Sequence, residues 1–325
     1  MREADVLRRL RSIATDPAAR GLLDDVALLD GLVLTHDSIA EGVHFLPSDP
    51  PASVGWKLVA VNLSDLAAKG ATPAGALLSL SLSDDADWDE QFLGGIEAAC
   101  ESYALPLIGG DTIALPEGAP RLFGLTAIGR AGARTPGRDG GMPRDLLWVV
   151  GFIGDAAAGL AQLIADPRAI GPLVDIYRRP VPLLAAGQAL APHAAAMMDV
   201  SDGLLLDARR MAEASGCAIR IELDALPLSD AFKASRGHNT GSRLFAASGG
   251  DDYALLVALR AELGPVTLSL PSGTSMHCVG SFAQGEPRIW LTSGGNPIEL
   301  PEKLGYEHRG RSASQHPASP VADRH

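Results

Sequence analysis

Aspartates recur in this chain directly after apolar runs, where strands end and helices begin. Asp25 lies in "LLDDVALL", Asp37 ends "LVLTHD", Asp65 lies in "VNLSDLAAKG", Asp111 follows "LIGG", and Asp199 and Asp202 lie in "MMDVSDGLLLDARR". A buried carboxylate without a partner is strongly disfavoured, so such acids either neutralise or meet a cation. Each acid alone is equally explained as a turn or cap residue, and Ser201 or Asp199 would cap the helix that follows.

Carboxylates that converge from separate chain segments repel one another unless a cation joins them. No His/Cys cluster has the spacing of a zinc site, whereas carboxylates and hydroxyls are the hard oxygen ligands that suit Mg²⁺. Because protein-bound Mg²⁺ usually keeps waters and phosphate oxygens in its shell, the pattern indicates a polyphosphate substrate. The glycines of "IGGDT" would let the backbone approach such phosphates closely.

Familiar nucleotide motifs are missing from the sequence. It contains no Gly-Lys dipeptide and therefore no usual P-loop, and it lacks the His-Arg-Asp and Asp-Phe-Gly motifs of protein kinases. "GFIGDAAAG" at 151–159 is interpreted as an ordinary strand-to-helix turn rather than a dinucleotide site. If this protein uses ATP, metal ions must do much of the phosphate handling.

Length, net charge and cysteine content indicate which class of protein this chain belongs to. The chain has 325 residues, a formal charge of −12 and 46% hydrophobic residues, which predicts a compact globular protein and disfavours a nucleic-acid partner. Three scattered cysteines suggest neither a disulfide framework nor a zinc site. No apolar run reaches transmembrane length and the first residues lack the apolar core of a signal peptide, so a cytoplasmic protein without a membrane partner is expected.

Short apolar runs alternate with helical patterns, which predicts an α/β or α+β fold. Strands are expected at 32–35, 76–82, 122–129, 146–151, 197–199, 218–223, 253–259 and 266–270, and helices at 53–71, 155–165 and 203–214. A Gly/Pro/Arg-rich stretch at 133–145 is typical of a linker. We therefore expect domains at 1–140 and 141–307, followed by a disordered polar tail at 308–325.

The motifs "DDVALL", "THDSIAEGVHF", "VNLSDLAAKGA", "LIGGDT", "MDVSDGL" and "SGGDDYALL" occur in the order found in thiamine-monophosphate kinases, and the chain resembles that family from about residue 20 to 260. The family belongs to the superfamily of aminoimidazole ribonucleotide synthetase and selenophosphate synthetase. The resemblance implies two α/β domains, the N-terminal one binding ATP and metal and pairing its sheet across a homodimer. It also implies transfer of the ATP γ-phosphoryl group to thiamine phosphate.

The resemblance implies a role for individual positions. It implies magnesium ligands at Asp25, Thr35, His36, Asp37, Asp65, Asp111, Asp199 and Asp202, ATP contacts at Tyr103, Gly110, Asp111, Arg134 and Ser201, and thiamine phosphate contacts at His44, Asp251 and Tyr306. No catalytic base is assigned, because the acceptor phosphate oxygen is already a nucleophile. Aspartates would bind the metals, which neutralise two polyanions and hold them in line.

Alternatives stay open at several of these positions. Arg134 is equally a solvated loop arginine, His44 a hydrogen-bonded core histidine, and Lys69 is expected to point to solvent. Leu22 and Leu23 stand where the family usually has glycine, His36 where it commonly has Thr, and Asp251 where Glu is typical. Another ATP-dependent synthetase of the same superfamily, or a metal-nucleotide binding protein without turnover, remains an alternative function.

Overall fold

The computed structural model describes residues 3–263 and 268–307. The chain begins with α1 (Glu3–Arg11) and a 3-10 segment at Pro17–Leu22. The first sheet is built from β1 (Ala27–Leu29), β2 (Leu32–Ala40), β3 (Thr72–Leu82), β4 (Leu107–Ala114) and β5 (Leu122–Arg130), with the helices α2 (Pro51–Ala68) and α3 (Ala86–Ser102). Its strand order is β1-β2-β5-β3-β4, and only the neighbours β3 and β4 are parallel.

The second sheet contains seven strands: β6 (Leu146–Val150), β7 (Ala196–Val200), β8 (Ala218–Glu222), β9 (Ala254–Leu259), β10 (Met276–Ala283), β11 (Ile289–Ser293) and β12 (Asn296–Ile298). Their order is β12-β11-β8-β10-β6-β9-β7, with β11 and β8 parallel and the other neighbours antiparallel. The accompanying helices are α4 (Asp155–Ala165), α5 (Pro172–Arg178), α6 (Leu184–Leu190), α7 (Leu204–Ser215), α8 (Asp230–Arg236) and α9 (Thr240–Ser248), with a 3-10 segment at Leu223–Ala225.

Helix α2 joins the two sheets. Pro51 is its first residue, a position where the backbone N–H that proline lacks would have no partner within the helix. Leucine, valine and alanine make up most of the helix interior. Its residues are buried almost all round because it packs against β2 and β5 on one side and against β7 and α6 on the other. At Gly187 in α6 a Cβ atom would lie 1.9 Å from the Ala67 carbonyl oxygen, so glycine is required for this close approach.

The predicted mixed α/β fold is confirmed. The predicted strand at 266–270 is wrong over Leu268–Leu270, where the Leu270 N–H donates to the Leu268 carbonyl in a turn before Pro271. Residues 266–267 of that prediction, and the predicted tail at 308–325, lie outside the described residues. The glycines of "LIGGDT" lie inside β4 rather than in a turn. Along the described ranges, no helix has both the length and the apolar character to cross a membrane.

Candidate active site

A cleft of about 1580 Å³ lies between the two sheets and holds many of the predicted site residues. Elements on both sides of α2 contribute to its walls. The predicted residues that line it are Asp25, Asp37, His44, Asp65, Asp199, Ser201, Asp202, Asp251 and Tyr306. The structure thus brings together acids from Asp25 to Asp251, which are 226 positions apart in the chain, as the sequence predicts for a shared cation site.

Three of these acids meet closely at one side of the cleft. Asp25 precedes β1, Asp65 lies in the last turn of α2 and Asp199 lies in β7. One carboxylate oxygen from each lies within 4.8 Å of those of the other two. Because α2 packs on both sheets, the position of Asp65 relative to Asp199 is fixed by helix–sheet packing.

Hydroxyl groups support the two most buried carboxylates of this triad. The Ser64 Oγ donates to Asp199 Oδ2 at 2.7 Å, and the buried Thr35 hydroxyl donates to Asp65 Oδ2. Burial first, and then the charges of neighbouring aspartates, raise the pKa of Asp65 and of Asp199 well above the ordinary value. Their ionised form is therefore unfavourable unless a cation is added, and the all-oxygen donor set fits Mg²⁺.

Asp25 is already paired with two cations. The Lys69 Nζ lies 2.8 Å from Asp25 Oδ2 and 2.6 Å from Asp24 Oδ1, and it donates to the Met197 carbonyl at 3.0 Å. Arg138 contacts Asp25 Oδ1. Burial would raise the pKa of Asp25, but the positive charges of Arg138 and Lys69 outweigh it and hold this pKa below its ordinary value. The expectation that Lys69 points to solvent is wrong, because its side chain is fully buried.

Asp37 and Asp202 flank the triad. The Asp37 N–H donates to the Asn62 side-chain oxygen at 2.9 Å, and burial together with the charges of Asp25 and Asp202 raises the pKa of Asp37 to about 6. Asp202 Oδ2 lies 2.5 Å from Arg210 Nη1, which also contacts Asp207. These two acids extend the negative surface from the triad into the open cleft.

The capping explanation of the "MDVSDG" segment is wrong. Helix α7 begins at Leu204 after Gly203, and no side chain makes a capping hydrogen bond there. The Asp199 carboxylate is instead bound by Ser64, and the Ser201 carbonyl accepts the Asp251 N–H at 2.8 Å. Asp199 and Ser201 therefore belong to the cleft and do not cap the helix.

The predicted thiamine phosphate contacts also line the cleft. The Lys57 Nζ donates to Asp251 Oδ2 at 2.8 Å and to the His44 carbonyl at 2.9 Å. The His44 Nδ1 accepts the Ala40 N–H at 3.0 Å, which places the proton of a neutral ring on Nε2. Asp251 also accepts the Tyr253 hydroxyl at 2.9 Å, and its φ of +67° is unusual for a residue with a side chain. This network connects the first part of the chain to the loop before β9. At the cleft edge, the Tyr306 N–H donates to the Asp202 carbonyl at 2.9 Å.

His36 lies near the acids in sequence but on the opposite side of the first sheet. Along β2, Thr35 and Ile39 are buried while His36 is exposed. Its Nδ1 lies 2.9 Å from the Thr126 hydroxyl on the neighbouring strand β5. Because strand residues alternate between faces, the ring of His36 is directed away from the face that carries Asp37.

Gly110 and Asp111 lie on the edge strand β4, away from the triad of the same chain. One row of paired residues crosses the sheet from β4 to β2. It runs from Asp111 in β4 through Ser79 in β3 and Gly124 in β5 to Ser38 in β2, next to Asp37. Three strand spacings separate the ends of this row, or roughly 14 Å. Gly110 is required by the sheet itself, because a Cβ atom there would lie 2.0 Å from the Leu78 carbonyl oxygen.

Tyr103 and Arg134 are not among the residues that line the cleft. Tyr103 ends α3, and its ring packs edge-on against Trp56 with centroids 5.6 Å apart. Arg134 is exposed in the segment between the two sheets. Their predicted nucleotide contacts stay predictions.

Sequence reasoning missed the buried cations Lys57, Lys69 and Arg138. A signal existed for the lysines: the chain has only four, of which Lys57 lies in α2, the helix with the most continuous burial, and Lys69 directly follows it. A lysine in such a helix needs an acidic partner, since an unpaired buried ammonium is strongly disfavoured. No comparable signal distinguishes Arg138 from the other arginines of its segment.

Comparisons with known proteins identify relatives that are similar in sequence and in fold. Family models for the N-terminal and C-terminal domains of AIR synthase related proteins match residues 23–131 and 143–266. The thiamine-monophosphate kinase of Salmonella typhimurium is 36% identical over 315 residues, covering 92% of this chain and 94% of that protein. The Escherichia coli K12 protein of the same name is 37% identical over 314 residues, with the same coverage. A solved structure named "AaThiL complexed with AMPPCP and TMP" matches with a TM-score of 0.82 and 31% identity, covering 95% of this chain and 97% of that one.

Proposed function

This chain belongs to the thiamine-monophosphate kinase family of AIR synthase related proteins, and from that premise we propose that it transfers the γ-phosphoryl group of ATP to thiamine phosphate, giving thiamine diphosphate. The observation that carries the proposal is the convergence of Asp25, Asp65 and Asp199 at a cleft large enough for two phosphorylated ligands. The complex of a structural relative with an ATP analogue and TMP supports the same pair of ligands.

We assign Mg²⁺ to the acid cluster. Asp25, Asp65 and Asp199 would hold it, with Asp37 and Asp202 as further carboxylate ligands and Thr35 placed behind Asp65. His36 would take part only through its backbone, since its ring lies on the other face of the sheet. When bound, Mg²⁺ neutralises phosphate charge and orients the phosphoryl groups for in-line transfer.

The residues of this chain then act by binding and positioning. The attacking atom is a phosphate oxygen that is already ionised near neutral pH, so the cleft needs no strong general base. His44, Asp251 and Tyr306 would hold thiamine phosphate, and Lys57 fixes Asp251 and the His44 backbone against each other. Ser201 lies between Asp199 and Asp202 in the sequence, lines the cleft and would contact the nucleotide.

We further propose a homodimer formed through the first sheet. Large apolar side chains are exposed on this sheet and its edge strand, namely Leu77, Leu82, Leu107, Ile108, Ile113 and Leu122. Exposed apolar side chains on a sheet favour an interaction site, and an exposed edge strand favours pairing with another sheet. In such a dimer, Gly110 and Asp111 would lie at the contact between copies, which gives Asp111 a route to a metal that it lacks within one chain.

We propose that the two sheets belong to two domains with different roles. We place an ATP- and metal-binding domain at 1–140 and a second α/β domain at 141–307. The limits of the matching family models, which end at 131 and begin at 143, support this division. Tyr103 and Arg134 remain proposed nucleotide contacts of the first domain.

The direct test combines purified protein with ATP, Mg²⁺ and thiamine phosphate and measures thiamine diphosphate by chromatography. Product should form with the wild type and fall at least ~100-fold in Asp65→Asn, because metal clamps contribute several kcal/mol. Asp230→Asn is the matched control, since Asp230 is fully exposed in α8. ATP binding without product would instead favour a non-catalytic metal-nucleotide protein, and hydrolysis that depends on another acceptor would favour another synthetase.

A further inference from the structure

The buried ammonium of Lys57 has an aromatic partner besides its two oxygen acceptors. Its Nζ donates to Asp251 Oδ2 at 2.8 Å and to the His44 carbonyl at 2.9 Å. The same Nζ lies over the Tyr177 ring, 4.1 Å from the ring centroid. The Lys57 side chain is 2% exposed, and a cation removed from water in this way gains most from an aromatic face. The ring therefore helps to hold the ammonium that joins two of the proposed thiamine phosphate contacts.

Tyr177 is not among the residues that line the cleft, and its ring is fixed by packing in the last turn of α5. The apolar side chains that pack in the same small cluster are Ala156, Leu163, Val174 and Leu46. Burial first, and then the negative charges of Asp49 and Asp251, raise the pKa of the Tyr177 hydroxyl, so the phenol stays neutral. Tyr177 thus offers Lys57 a rigid face and no competing positive charge.

The next residue in the chain ties the end of α5 to the turn before α2. The Arg178 Nε lies 2.8 Å from Asp49 Oδ1, and Asp49 Oδ2 accepts the Leu46 N–H at 2.8 Å. Both side chains of this ion pair are largely buried. Because the turn at 46–50 directly follows the segment that carries His44, the ion pair holds α5 against that segment.

Arg179 and Pro180 extend this contact to α2 itself. The Arg179 guanidinium lies 4.3 Å from the centroid of the Trp56 ring, and the Trp56 Nε1–H donates to the Pro180 carbonyl at 2.9 Å. Trp56 directly precedes Lys57 in α2. Each of the four consecutive residues 177–180 therefore contacts the segment 44–57, and several interactions together determine where the Tyr177 ring lies relative to Lys57.

We propose that Tyr177 is a positioning residue for thiamine phosphate: its ring holds the Lys57 ammonium at Asp251 and at the His44 carbonyl, and so sets the affinity of the cleft for thiamine phosphate. Nucleotide affinity does not depend on it, because both acceptors of Lys57 belong to the predicted thiamine phosphate contacts. Asp251 needs such support, since its φ is +67° and its side chain is 25% exposed at the cleft. The effect on the ligand rests on the proposed function, whereas the hold on Lys57 does not.

The hold on Lys57 is tested without any ligand, by nuclear magnetic resonance of protein labelled with ¹³C-lysine. The chain has four lysines, so the ε-methylene signals are few, and Lys57→Met identifies the signal of Lys57. The ring current of Tyr177 should place this signal upfield of the signal of the exposed Lys233. The Lys57 signal should move downfield in Tyr177→Leu and stay upfield in Tyr177→Phe. A Lys57 signal that Tyr177→Leu does not move overturns the proposal.

The effect on the ligand is tested by calorimetric titration at saturating Mg²⁺, with thiamine phosphate and AMPPCP measured separately. Tyr177→Leu should weaken thiamine phosphate binding about tenfold, because a buried cation–π contact is lost, and should leave AMPPCP binding unchanged. Tyr177→Phe keeps the ring and should bind thiamine phosphate as the wild type does. Phe245→Leu is the matched control and should change neither affinity, since it removes a ring that carries Arg236 at 3.7 Å but does not line the cleft.

The outcomes separate a positioning role from a purely structural one. Loss of affinity for both ligands together, or for neither, overturns the proposal, as does an equal loss in Tyr177→Phe. Tyr177→Met fills the same space with an unbranched chain and replaces Tyr177→Leu if that variant does not fold. A wild type that binds thiamine phosphate but forms no thiamine diphosphate would refute the proposed function and leave the result on Tyr177 in place. A wild type that does not bind thiamine phosphate would refute both.

Discussion

Replacing Lys69 with methionine tests whether the buried cation holds the acid cluster together. The substitution keeps most of the side-chain length but removes the ammonium that bridges Asp24, Asp25 and the Met197 carbonyl. Removing one partner of a buried ion pair costs about 3–5 kcal/mol, because the other charge stays buried. Asp24 keeps Arg20 at 3.0 Å and Asp25 keeps Arg138, so we expect the lower end, about 3 kcal/mol.

The assay is equilibrium unfolding in urea, in the presence of a chelator and followed by tryptophan fluorescence. With a slope of about 3 kcal/mol per molar urea, the midpoint should fall by about 1 M. Lys233→Met is the control: Lys233 forms an exposed ion pair with Asp230 at 2.9 Å, and such pairs contribute about 0–1 kcal/mol. A loss in Lys69→Met no greater than that of the control would refute the reasoning that Lys69 is the main counter-charge of the Asp24–Asp25 turn.

Other perturbations have expected outcomes that follow from single contacts. Asp202→Asn should lower turnover at least ~100-fold with little change in the free energy of unfolding, as measured by product formation and urea titration. Lys57→Met should raise KM for thiamine phosphate about tenfold and leave KM for ATP unchanged, because Asp251 loses its charge-assisted hydrogen bond. Ile108→Glu replaces an apolar side chain that is 60% exposed with a charged one. Because this charge would lie in the proposed dimer contact, sedimentation should show a shift from dimer to monomer. In metal-free protein the pKa of Asp37 is raised from 3.8 to about 6, so the stability that protonated Asp37 contributes is lost as the pH rises through 6. In the presence of chelator, the urea concentration at the unfolding midpoint should therefore decrease as the pH is raised from about 5 to about 7.5, and the decrease should be smaller in Asp37→Asn.

The local sequence predicted most of what brings the acids to the cleft. Apolar runs before aspartates correctly marked β2 and β7, although Asp37 and Asp199 lie inside these strands rather than after them, and the apolar spacing of 53–71 correctly marked α2. The expectation that these acids lie at strand ends is therefore wrong, and the convergence of Asp199 with Asp25 and Asp65 depends on how the strands and α2 pack. The relatives and the family models confirm the family that these motifs indicated.

Long-range pairing could not be predicted in the same way. Asp111 was grouped with the other acids by its glycine-rich motif, but β4 pairs with β3 at the far edge of the sheet, and strand order is a tertiary property. Lys69 follows Asp65 by four residues, a spacing that would suit an exposed helical ion pair. Its actual partners, Asp24 and Asp25, precede it by more than forty positions, so only the packed fold brings them together.

Packing and local cations oppose the mutual repulsion of the acids in the cluster. Asp65 is held by a helix enclosed between two sheets, and Asp199 by a strand that is buried at every position, so neither carboxylate can retreat to solvent. The Asp25 side chain is also buried, but Asp25 lies in neither a helix nor a strand, since it precedes a three-residue edge strand. Its place is instead determined by Lys69 on one oxygen and Arg138 on the other. Asp25, the acid that no helix or strand positions, is therefore the one to which the protein supplies counter-charges. Preorganised ligands lose little freedom when a cation binds, so this arrangement lowers the entropic cost of metal binding.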